Sequence, residues 1–303
     1  MEICHCRASV QRFFGASELN LSIIPEHSLS IIIPASNEAG LIGDCLSSLL
    51  ASTEINSPLE TIVVSNASRD NTAEIARSFK AGFAAREWSL VVLDLEEGGK
   101  INALNQADKV AMGAGRIYLD ADVVLAPDLL GKMIRLLEQP EAVYTSGAVK
   151  IARAESWISQ AYGRFYQRIP FITTGVPGCG LFAVNRAGRE RWGEFPDVIS
   201  DDTYIRLLFR PDERKSALAA YEWPIVEGFG NLIRVRRRQD AGVEELRKRF
   251  PLLFENDDKP DFGIGQKLAM AIADPLGFLV YGAVALSVRV SKNRDQGRWV
   301  RGR

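Results

Sequence analysis

The sequence LSIIIP at residues 29–34 is a short apolar run rich in β-branched side chains. A run of this kind, without alternating polar residues, is typical of a strand that is buried on both faces of a parallel sheet. The polar cluster Ser36-Asn37-Glu38 follows, and its side chains can cap a helix. Apolar residues then recur at helical spacing over residues 41–50. This segment therefore predicts a β-strand followed by an α-helix.

The same unit recurs three times further along the chain. Apolar runs at residues 61–64 (TIVV), 90–93 (LVVL) and 116–119 (RIYL) each precede a polar or glycine-rich break and a helical pattern. Such alternation implies a parallel sheet with helices on both faces, and ligands of such sheets bind beyond the carboxyl ends of the strands. We therefore expect four polar segments to converge on one rim: Ser36-Asn37-Glu38, residues 65–68, residues 96–100, and Asp120-Ala121-Asp122.

The second half of the chain has a less regular pattern. Its recognisable features are a possible strand at residues 143–151, an aromatic and basic segment at 157–171, a glycine-rich loop at 175–180, an acidic cluster at 200–202, and a basic run at 234–238. These features predict structural elements that are added to the regular first half.

Bulk charge and histidine content exclude two classes of function. The formal net charge is -1, with 37 basic and 38 acidic residues, which argues against nucleic acid as a partner because such proteins usually carry a basic domain. The two histidines, His5 and His27, both lie near the N-terminus, where no Ser-His-Asp arrangement is credible. Nucleophilic hydrolysis by a serine triad is therefore disfavoured.

The cysteines and the N-terminus favour a cytoplasmic protein with reduced thiols. The four cysteines form no paired framework, and Cys4-His5-Cys6 lacks a second ligand pair at the spacing of a zinc site. The N-terminus also lacks a basic segment followed by an apolar run, so we expect no signal peptide.

Two carboxylates flank Ala121 directly after the fourth predicted strand. Hard cations such as Mg²⁺ take oxygen ligands and usually bridge one or two carboxylates to phosphates. An ion held there would neutralise charge on a departing diphosphate. A helix cap or a solvated turn is the alternative interpretation of Asp120 and Asp122.

Five segments, in order, resemble the family 2 glycosyltransferases, which are inverting enzymes of the GT-A fold. They are LSIIIPASNE (29–38), IVVSNASRDNT (62–72), GGKINALNQA (98–107), IYLDAD (117–122) and ISDDT (199–203). The resemblance implies an α/β, GT-A-like and Rossmann-related fold, with a mainly parallel sheet covered by helices on both faces. A less regular acceptor-side half and a helical C-terminal tail would complete it. The chain lacks the tryptophan of the Gln-x-x-Arg-Trp element of processive members, which favours the non-processive type.

The resemblance also implies a domain organisation. Residues 1–28 would be an N-terminal extension, and residues 29–250 the glycosyltransferase domain. That domain would consist of a nucleotide-sugar half (29–125) and an acceptor half (126–250). Residues 251–303 would form an apolar and basic tail.

On the donor side, the resemblance assigns roles to residues that match the family motifs. Those that would bind substrate are Pro34, Ala35, Glu38, Asn66, Lys100, Asn105 and Asp120, and Asp122 would be the metal ligand for Mg²⁺ or Mn²⁺. Asn66 stands, with Ser65, in place of the usual aspartate pair, but its amide can still offer a donor and an acceptor to uracil or another base. Asp120 would support the ribose or the metal. An exposed lysine at a helix start is the alternative for Lys100.

On the acceptor side, Asp202 would be the general base, and Asp201 beside it would bind substrate. A base contributes only within hydrogen-bonding distance of the acceptor hydroxyl, and a helix N-terminus is the alternative reason for these two acids. Gly178 would let a sugar approach the backbone, unless it serves only a tight turn. Arg237, in the basic run, would hold the diphosphate through its guanidinium fork, unless the run is a solvated helix face.

The sequence therefore predicts metal-assisted, inverting transfer of one sugar from a nucleotide diphosphate sugar, with a UDP-sugar favoured, to a saccharide or lipid-linked acceptor. One alternative is a nucleotidyltransferase that makes the sugar nucleotide, although residues 35–40 lack the glycine-rich basic loop which that class needs. The other is a degenerate module that binds nucleotide without turnover.

The tail leaves two interpretations open. Residues 268–288 are largely apolar, are interrupted by Pro275, and are borderline in length for a bilayer span. Basic residues follow at Lys292, Arg294, Arg298, Arg301 and Arg303. A broken helix on the inner face of the cell membrane, with the basic residues on anionic lipid, is one interpretation, and a helix packed on the core is the other.

Overall fold

The computed structural model describes residues 28–290 of the chain. Residues 1–27 of the predicted extension (1–28), with Cys4-His5-Cys6, and the basic residues after position 290 lie outside that range. The strands are β1 (Leu29–Ala35), β2 (Leu59–Asn66), β3 (Ser89–Leu95), β4 (Gly115–Leu119), β5 (Val124–Leu125), β6 (Tyr144–Ile151), β7 (Leu181–Val184) and β8 (Arg214–Trp223).

Helices alternate with the strands in the first half and dominate the C-terminal part. They are α1 (Ile42–Leu50), α2 (Thr72–Ser78), α3 (Lys80–Ala85), α4 (Lys100–Val110), α5 (Leu129–Leu137), α6 (Trp157–Tyr166), α7 (Pro170–Thr173), α8 (Arg186–Arg189), α9 (Asp201–Leu207), α10 (Phe229–Arg249), α11 (Ile264–Ala273) and α12 (Pro275–Val290). Short 3₁₀ turns lie at Pro211–Glu213 and Pro251–Asn256.

The strands of the described part form one sheet in the order β3-β2-β1-β4-β7-β6-β8-β5. From β3 to β4 all neighbours are parallel, as the repeated strand–helix unit predicts. Beyond β4 the sheet is mixed, because β7 runs antiparallel to β4 and to β6, whereas β6 and β8 are parallel. The α/β, GT-A-like prediction with a mainly parallel sheet is confirmed, and the antiparallel pairs belong to the less regular second half.

Both faces of the parallel part are buried, and this explains its unbroken apolar strands. In β1, Ile31 and Ile33 join the hydrophobic cluster that contains α1 and α5, while Ile32 joins the cluster on the opposite face, beneath α4. All three isoleucines are fully buried. Because side chains alternate along a strand, an apolar residue is required at each successive position when helices cover both faces.

Within residues 251–290 the tail contains a short 3₁₀ turn followed by two helices, and Pro275 begins the second helix at the interruption that the sequence predicts. Helix α12 packs against α6 and α10, and Val280 and Val284 enter the main hydrophobic cluster. Within residues 28–290, no helix combines the length and apolar character needed to cross a bilayer.

A buried network of charged side chains joins helices α4 and α8 to strand β4. Asp108 Oδ1 accepts a hydrogen bond from Arg116 Nε at 2.8 Å, and Asp108 Oδ2 accepts from Tyr118 Oη at 3.0 Å and Arg189 Nη2 at 3.2 Å. The Asp108 side chain is 7% exposed and that of Arg116 is 9% exposed. This network holds α4, which carries Lys100 at its first turn, to the central strand β4.

We expect Asp108→Ala to lower the free energy of unfolding by about 3–5 kcal/mol, because it leaves buried guanidinium groups without their counter-charge. Chemical denaturation followed by far-UV circular dichroism measures this change. Glu190→Ala is the control, since Glu190 pairs with Arg186 on the surface, where loss of an ion pair costs less than about 1 kcal/mol. Equal effects of the two substitutions would contradict the structural role of the network.

Candidate active site

The polar segments predicted to converge do so around a cavity of about 230 Å³ beyond the carboxyl ends of β1, β2 and β4. Nine of the residues singled out from the sequence line it: Pro34, Ala35, Glu38, Asn66, Lys100, Asp120, Asp122, Asp201 and Asp202. Their placement follows from the topology, because parallel strands end at the same rim.

Lys100 joins two acidic segments that are distant in sequence. Its Nζ lies 3.0 Å from Asp120 Oδ1 and 3.1 Å from Asp201 Oδ2. Burial alone would lower the pKa of Lys100, but the carboxylates of Asp120 and Asp201 outweigh it and raise its pKa above the usual range. Gly99, which precedes α4, has a φ of 129°, a conformation that side-chain-bearing residues rarely adopt. The glycine thus lets α4 begin with Lys100 directed at both acids.

Asp202 lies in the first turn of α9, one residue after Asp201. Burial and, to a smaller extent, the neighbouring Asp201 raise the pKa of its carboxyl to about 6, against the opposing effect of Lys100. Its Oδ1 accepts from the backbone N–H of Thr203 at 2.6 Å. The helix-start interpretation of these acids and their position in the cavity therefore hold together. A carboxylate whose pKa approaches neutrality can take a proton in water near pH 7.

The loops after β1 and β2 are tied to each other. Asn37 Oδ1 accepts from Arg69 N at 2.7 Å, and Glu38 N donates to Thr72 Oγ1 at 2.8 Å. These bonds replace the predicted capping role of Ser36-Asn37-Glu38, since α1 begins at Ile42 without a side-chain cap. The two hydrogen bonds hold the loop after β1 in place, and Glu38 in that loop lines the cavity.

Asn66, at the end of β2, is 3% exposed and lines the cavity. Its Oδ1 is buried and has no hydrogen-bond partner among residues 28–290. A buried amide oxygen without a partner is costly, and a ligand N–H would satisfy it. The arrangement fits the predicted contact between Asn66 and a nucleotide base.

The acidic side of the cavity fits a divalent cation that is completed by substrate phosphates. Among the described residues, no group of three or more His, Cys, Asp or Glu side chains is arranged to hold a metal alone. Mg²⁺ commonly uses only one or two carboxylates, keeps waters, and takes its remaining ligands from phosphates. Asp122 and Asp120 supply such a pair at the end of β4.

Three residues singled out from the sequence do not line the cavity. Asn105 uses its amide on the backbone of Phe195, accepting from Phe195 N at 2.7 Å and donating to Phe195 O at 3.1 Å. Its placement therefore differs from the predicted donor-facing position. Arg237 also lies outside the cavity wall, where its neighbours Arg236 and Arg238 are found instead.

Gly178 is the third of these residues, and its neighbour Gly180 takes the predicted place. A Cβ on Gly178 would overlap the hydroxyl of Tyr144, a fully buried side chain, so this glycine serves internal packing. A Cβ on Gly180 would lie 2.9 Å from the Trp223 ring, and both Gly180 and Trp223 line the cavity. The sequence identifies the loop correctly but not which of its glycines faces the cavity.

The aromatic segment at residues 157–171 and the basic run at 234–238, both recognised in the sequence, contribute to an apolar part of the same cavity, here called the apolar arm, which was not predicted. Tyr162 and Tyr166 of α6, Trp223 at the end of β8, and Leu232 and Val235 of α10 form its wall. Arg236 is also there, with Nη1 donating to Tyr281 Oη at 3.1 Å. The helical spacing of Leu232 and Val235 was the available signal. The lining of the cavity thus combines charged residues with aromatic and aliphatic ones.

Residues 30–191, just over half of the chain, match Glycosyl transferase family 2. With the GT-A-like sheet and the acidic rim described above, this match defines the class of protein. The chain belongs to glycosyl transferase family 2.

Individual relatives match this chain over only part of its length. "Glycosyltransferase AglE" of Haloferax volcanii is 36% identical over 94 residues, which covers 31% of this chain and 30% of that protein. "Undecaprenyl-phosphate 4-deoxy-4-formamido-L-arabinose transferase" of Serratia proteamaculans is 26% identical over 167 residues, covering 54% of this chain and 50% of that protein. The chain therefore matches half or less of the length of either relative.

Among solved structures, a mannosyltransferase of Pyrobaculum calidifontis, in complex with GDP-Man and Mn²⁺, superposes with a TM-score of 0.54 at 22% identity. The superposition covers 87% of this chain and 75% of that protein. At this identity the likeness shows a common fold.

We expect Asn105→Ala to lower the free energy of unfolding by about 1–3 kcal/mol while leaving nucleotide binding unchanged, because its amide satisfies a buried backbone segment. Chemical denaturation and calorimetric titration with nucleotide measure the two effects. Asn102→Ala is the control, because Asn102 lies on the same helix and its amide makes, within residues 28–290, only an exposed bond to Glu97 O and a 3.3 Å bond with Gln106 Nε2. Lost nucleotide binding in a stable Asn105→Ala protein would restore the donor-side role predicted from the sequence.

Proposed function

We propose that this glycosyltransferase moves a single sugar from a nucleotide diphosphate sugar to a saccharide or lipid-linked acceptor, with inversion and with the assistance of Mg²⁺ or Mn²⁺. The observation that carries the proposal is the Lys100 cluster. It brings Asp120 and Asp201 to one wall of a cavity that Asp122 and Asp202 also line. The division into a nucleotide-sugar half (29–125), an acceptor half (126–250) and a tail belongs to the same proposal.

Asn66, Glu38, Pro34 and Ala35 would bind the nucleoside of the donor. Asn66 lines the cavity and has an amide oxygen without a partner among residues 28–290, which suits the N–H edge of a base, and we favour uracil. The bound GDP-Man and Mn²⁺ of the Pyrobaculum mannosyltransferase support a nucleotide sugar and a divalent cation as ligands of this fold.

Asp122 would hold the cation, and Asp120 would support the ribose or the same cation. The bound cation would neutralise charge that develops on the diphosphate leaving group. Lys100 lies beside Asp120, and the cavity-lining Arg236 and Arg238 replace the predicted Arg237 as basic groups for the phosphates.

Asp202 would act as the general base. Its carboxylate takes the proton of an acceptor hydroxyl as that oxygen bonds to the anomeric carbon. The bond from the anomeric carbon to the diphosphate breaks on the opposite face, so the configuration inverts. Its buried position and raised pKa suit proton transfer near neutral pH. Asp201, paired with Lys100, would keep α9 in place.

The two alternatives receive less support. Membership of a glycosyltransferase family weighs against a nucleotidyltransferase. The acidic groups on one wall weigh against a module that only binds nucleotide, although Ser65-Asn66 remains its best argument. Two observations support a lipid-linked acceptor. The name of the Serratia relative includes the lipid phosphate undecaprenyl phosphate, and the apolar arm of the cavity suits a lipid-linked molecule.

The proposal predicts that one nucleotide diphosphate sugar of a panel binds in a Mn²⁺-dependent manner and is slowly hydrolysed. We expect Asp122→Asn to abolish metal-dependent binding. Asp202→Asn should retain binding and lose turnover by about 10²–10⁴-fold, because it removes only the base. Calorimetric titration and diphosphate release measure the two effects.

Asn102→Ala, outside the acidic wall, should match the unchanged protein in both assays. Full turnover in Asp202→Asn would discard the base assignment. Absence of binding to every donor, in protein shown to be folded, would favour the module without turnover.

The rate of donor hydrolysis should rise with pH through about 6, where the Asp202 carboxyl loses its proton. Lys100→Gln should shift this rise to higher pH, because Lys100 lowers the pKa of Asp202 through its positive charge. Lys109→Gln, an exposed residue of the same helix paired with Glu194, should leave it unchanged. The pH at which kcat/KM rises is the quantity measured. If that pH is the same in Lys100→Gln as in the unchanged protein, the titrating group is not Asp202.

A further inference from the structure

Helices α11 and α12 expose apolar stripes to solvent. On α11 these are Ile264, Leu268 and Ile272, spaced four residues apart and 85%, 62% and 74% exposed. On α12, Leu279 and Leu286 belong to a similar stripe that also includes Leu276 and Val290. Apolar side chains repeated on one helix face, rather than scattered singly, mark an interaction surface.

The opposite face of α12 is already used within the molecule. Gly277, Val280, Val284 and Val288 are buried, so α12 is apolar on two sides and only one of them packs on the domain. A helix that is apolar all round is normally buried all round. The outer side of α12 therefore lacks an apolar neighbour within residues 28–290.

Charge indicates what covers this surface. The charged residues of the two helices are Lys267 and Arg289, both basic and exposed. Asp274, between the helices, is 12% exposed and lies 3.5 Å from Arg164 Nε. Residues 291–303 add five basic residues and one acidic residue to the chain. An apolar surface with an excess of positive charge complements an anionic lipid surface.

The lengths of the helices limit how they can meet lipid. Helix α12 has 16 residues, or about 24 Å at 1.5 Å per residue, whereas a bilayer span needs about 20 residues. The break at Asp274 and Pro275 separates it from α11. Two short helices of this kind suit a position in the plane of the interface.

We propose that the pair α11–α12 is a docking surface for an anionic membrane, which it enters with the exposed leucine and isoleucine stripes. Resting on the proposed function, this position also favours a lipid-linked acceptor over a soluble saccharide. The ring of Tyr281 on α12 stacks on Tyr162 and Tyr166, the α6 residues that line the apolar arm of the cavity. One layer of side chains thus separates the membrane-docking helix from that arm.

Flotation with phosphatidylcholine vesicles, with or without phosphatidylglycerol, tests the proposal on the full chain. We expect binding to the mixed vesicles that weakens as salt screens the basic residues. Two double substitutions, Leu268→Ser with Ile272→Ser and Leu279→Ser with Leu286→Ser, should each weaken vesicle binding by about tenfold or more. They remove apolar surface that the membrane would bury. Leu252→Ser, which is 76% exposed in the 3₁₀ turn before α11, is the matched control.

Two outcomes would overturn the proposal. One is equal vesicle binding by all variants, or none by the unchanged chain. The other is a dimer in sedimentation analysis, without vesicle binding, that the same double substitutions dissociate, because a second copy would then cover the surface. Donor binding in solution should be the same in every variant, so failure of membrane docking remains distinguishable from failure of the proposed transfer.

Discussion

The ion pairs of Lys100 hold together the acidic side of the cavity. Asp120 directly follows β4 and Asp201 begins α9, 81 positions later in the sequence, and both carboxylates lie about 3 Å from the same ammonium group. Without that cation, neighbouring partly buried carboxylates would repel one another strongly. The site therefore depends on α4 beginning at Lys100. This start in turn depends on the left-handed conformation of Gly99 and on the Asp108 network that fixes α4 to the sheet.

The first half of the fold could be predicted because its information is local. Each buried strand of the parallel part is a continuous apolar run, and each strand end is marked by polar or glycine residues. One topological rule then brings those ends to a common rim. The second half could not be read in this way, because β7 and β6 join the sheet through antiparallel pairings. Such pairings depend on tertiary contacts rather than on a pattern along the chain.

The misplaced residues show what a motif leaves undetermined. Lys100 and Asn105 belong to one motif, yet five positions on a helix of 3.6 residues per turn turn the side chain by about 140° from the first. Lys100 faces the cavity, whereas Asn105 faces the Phe195 backbone. Gly178 and Gly180 show the same limit in a loop. Both adopt positive φ, but one lies against Tyr144 and the other against Trp223. At these positions the motif indicates the residue type, but it does not indicate which part of the structure the residue faces.

The two interpretations of the tail are compatible, because a helix has two sides. A run of apolar residues cannot distinguish a core helix from an interfacial one when both sides of the helix are apolar. In α12, Val284 lies in the hydrophobic core and Leu279 lies in solvent. Tyr281 lies on the same side of α12 as Val284, where it reaches the aromatic wall of the cavity and accepts a hydrogen bond from Arg236. The helix that exposes Leu279 to solvent thus also supports, through Tyr281, the tyrosines that line the apolar arm.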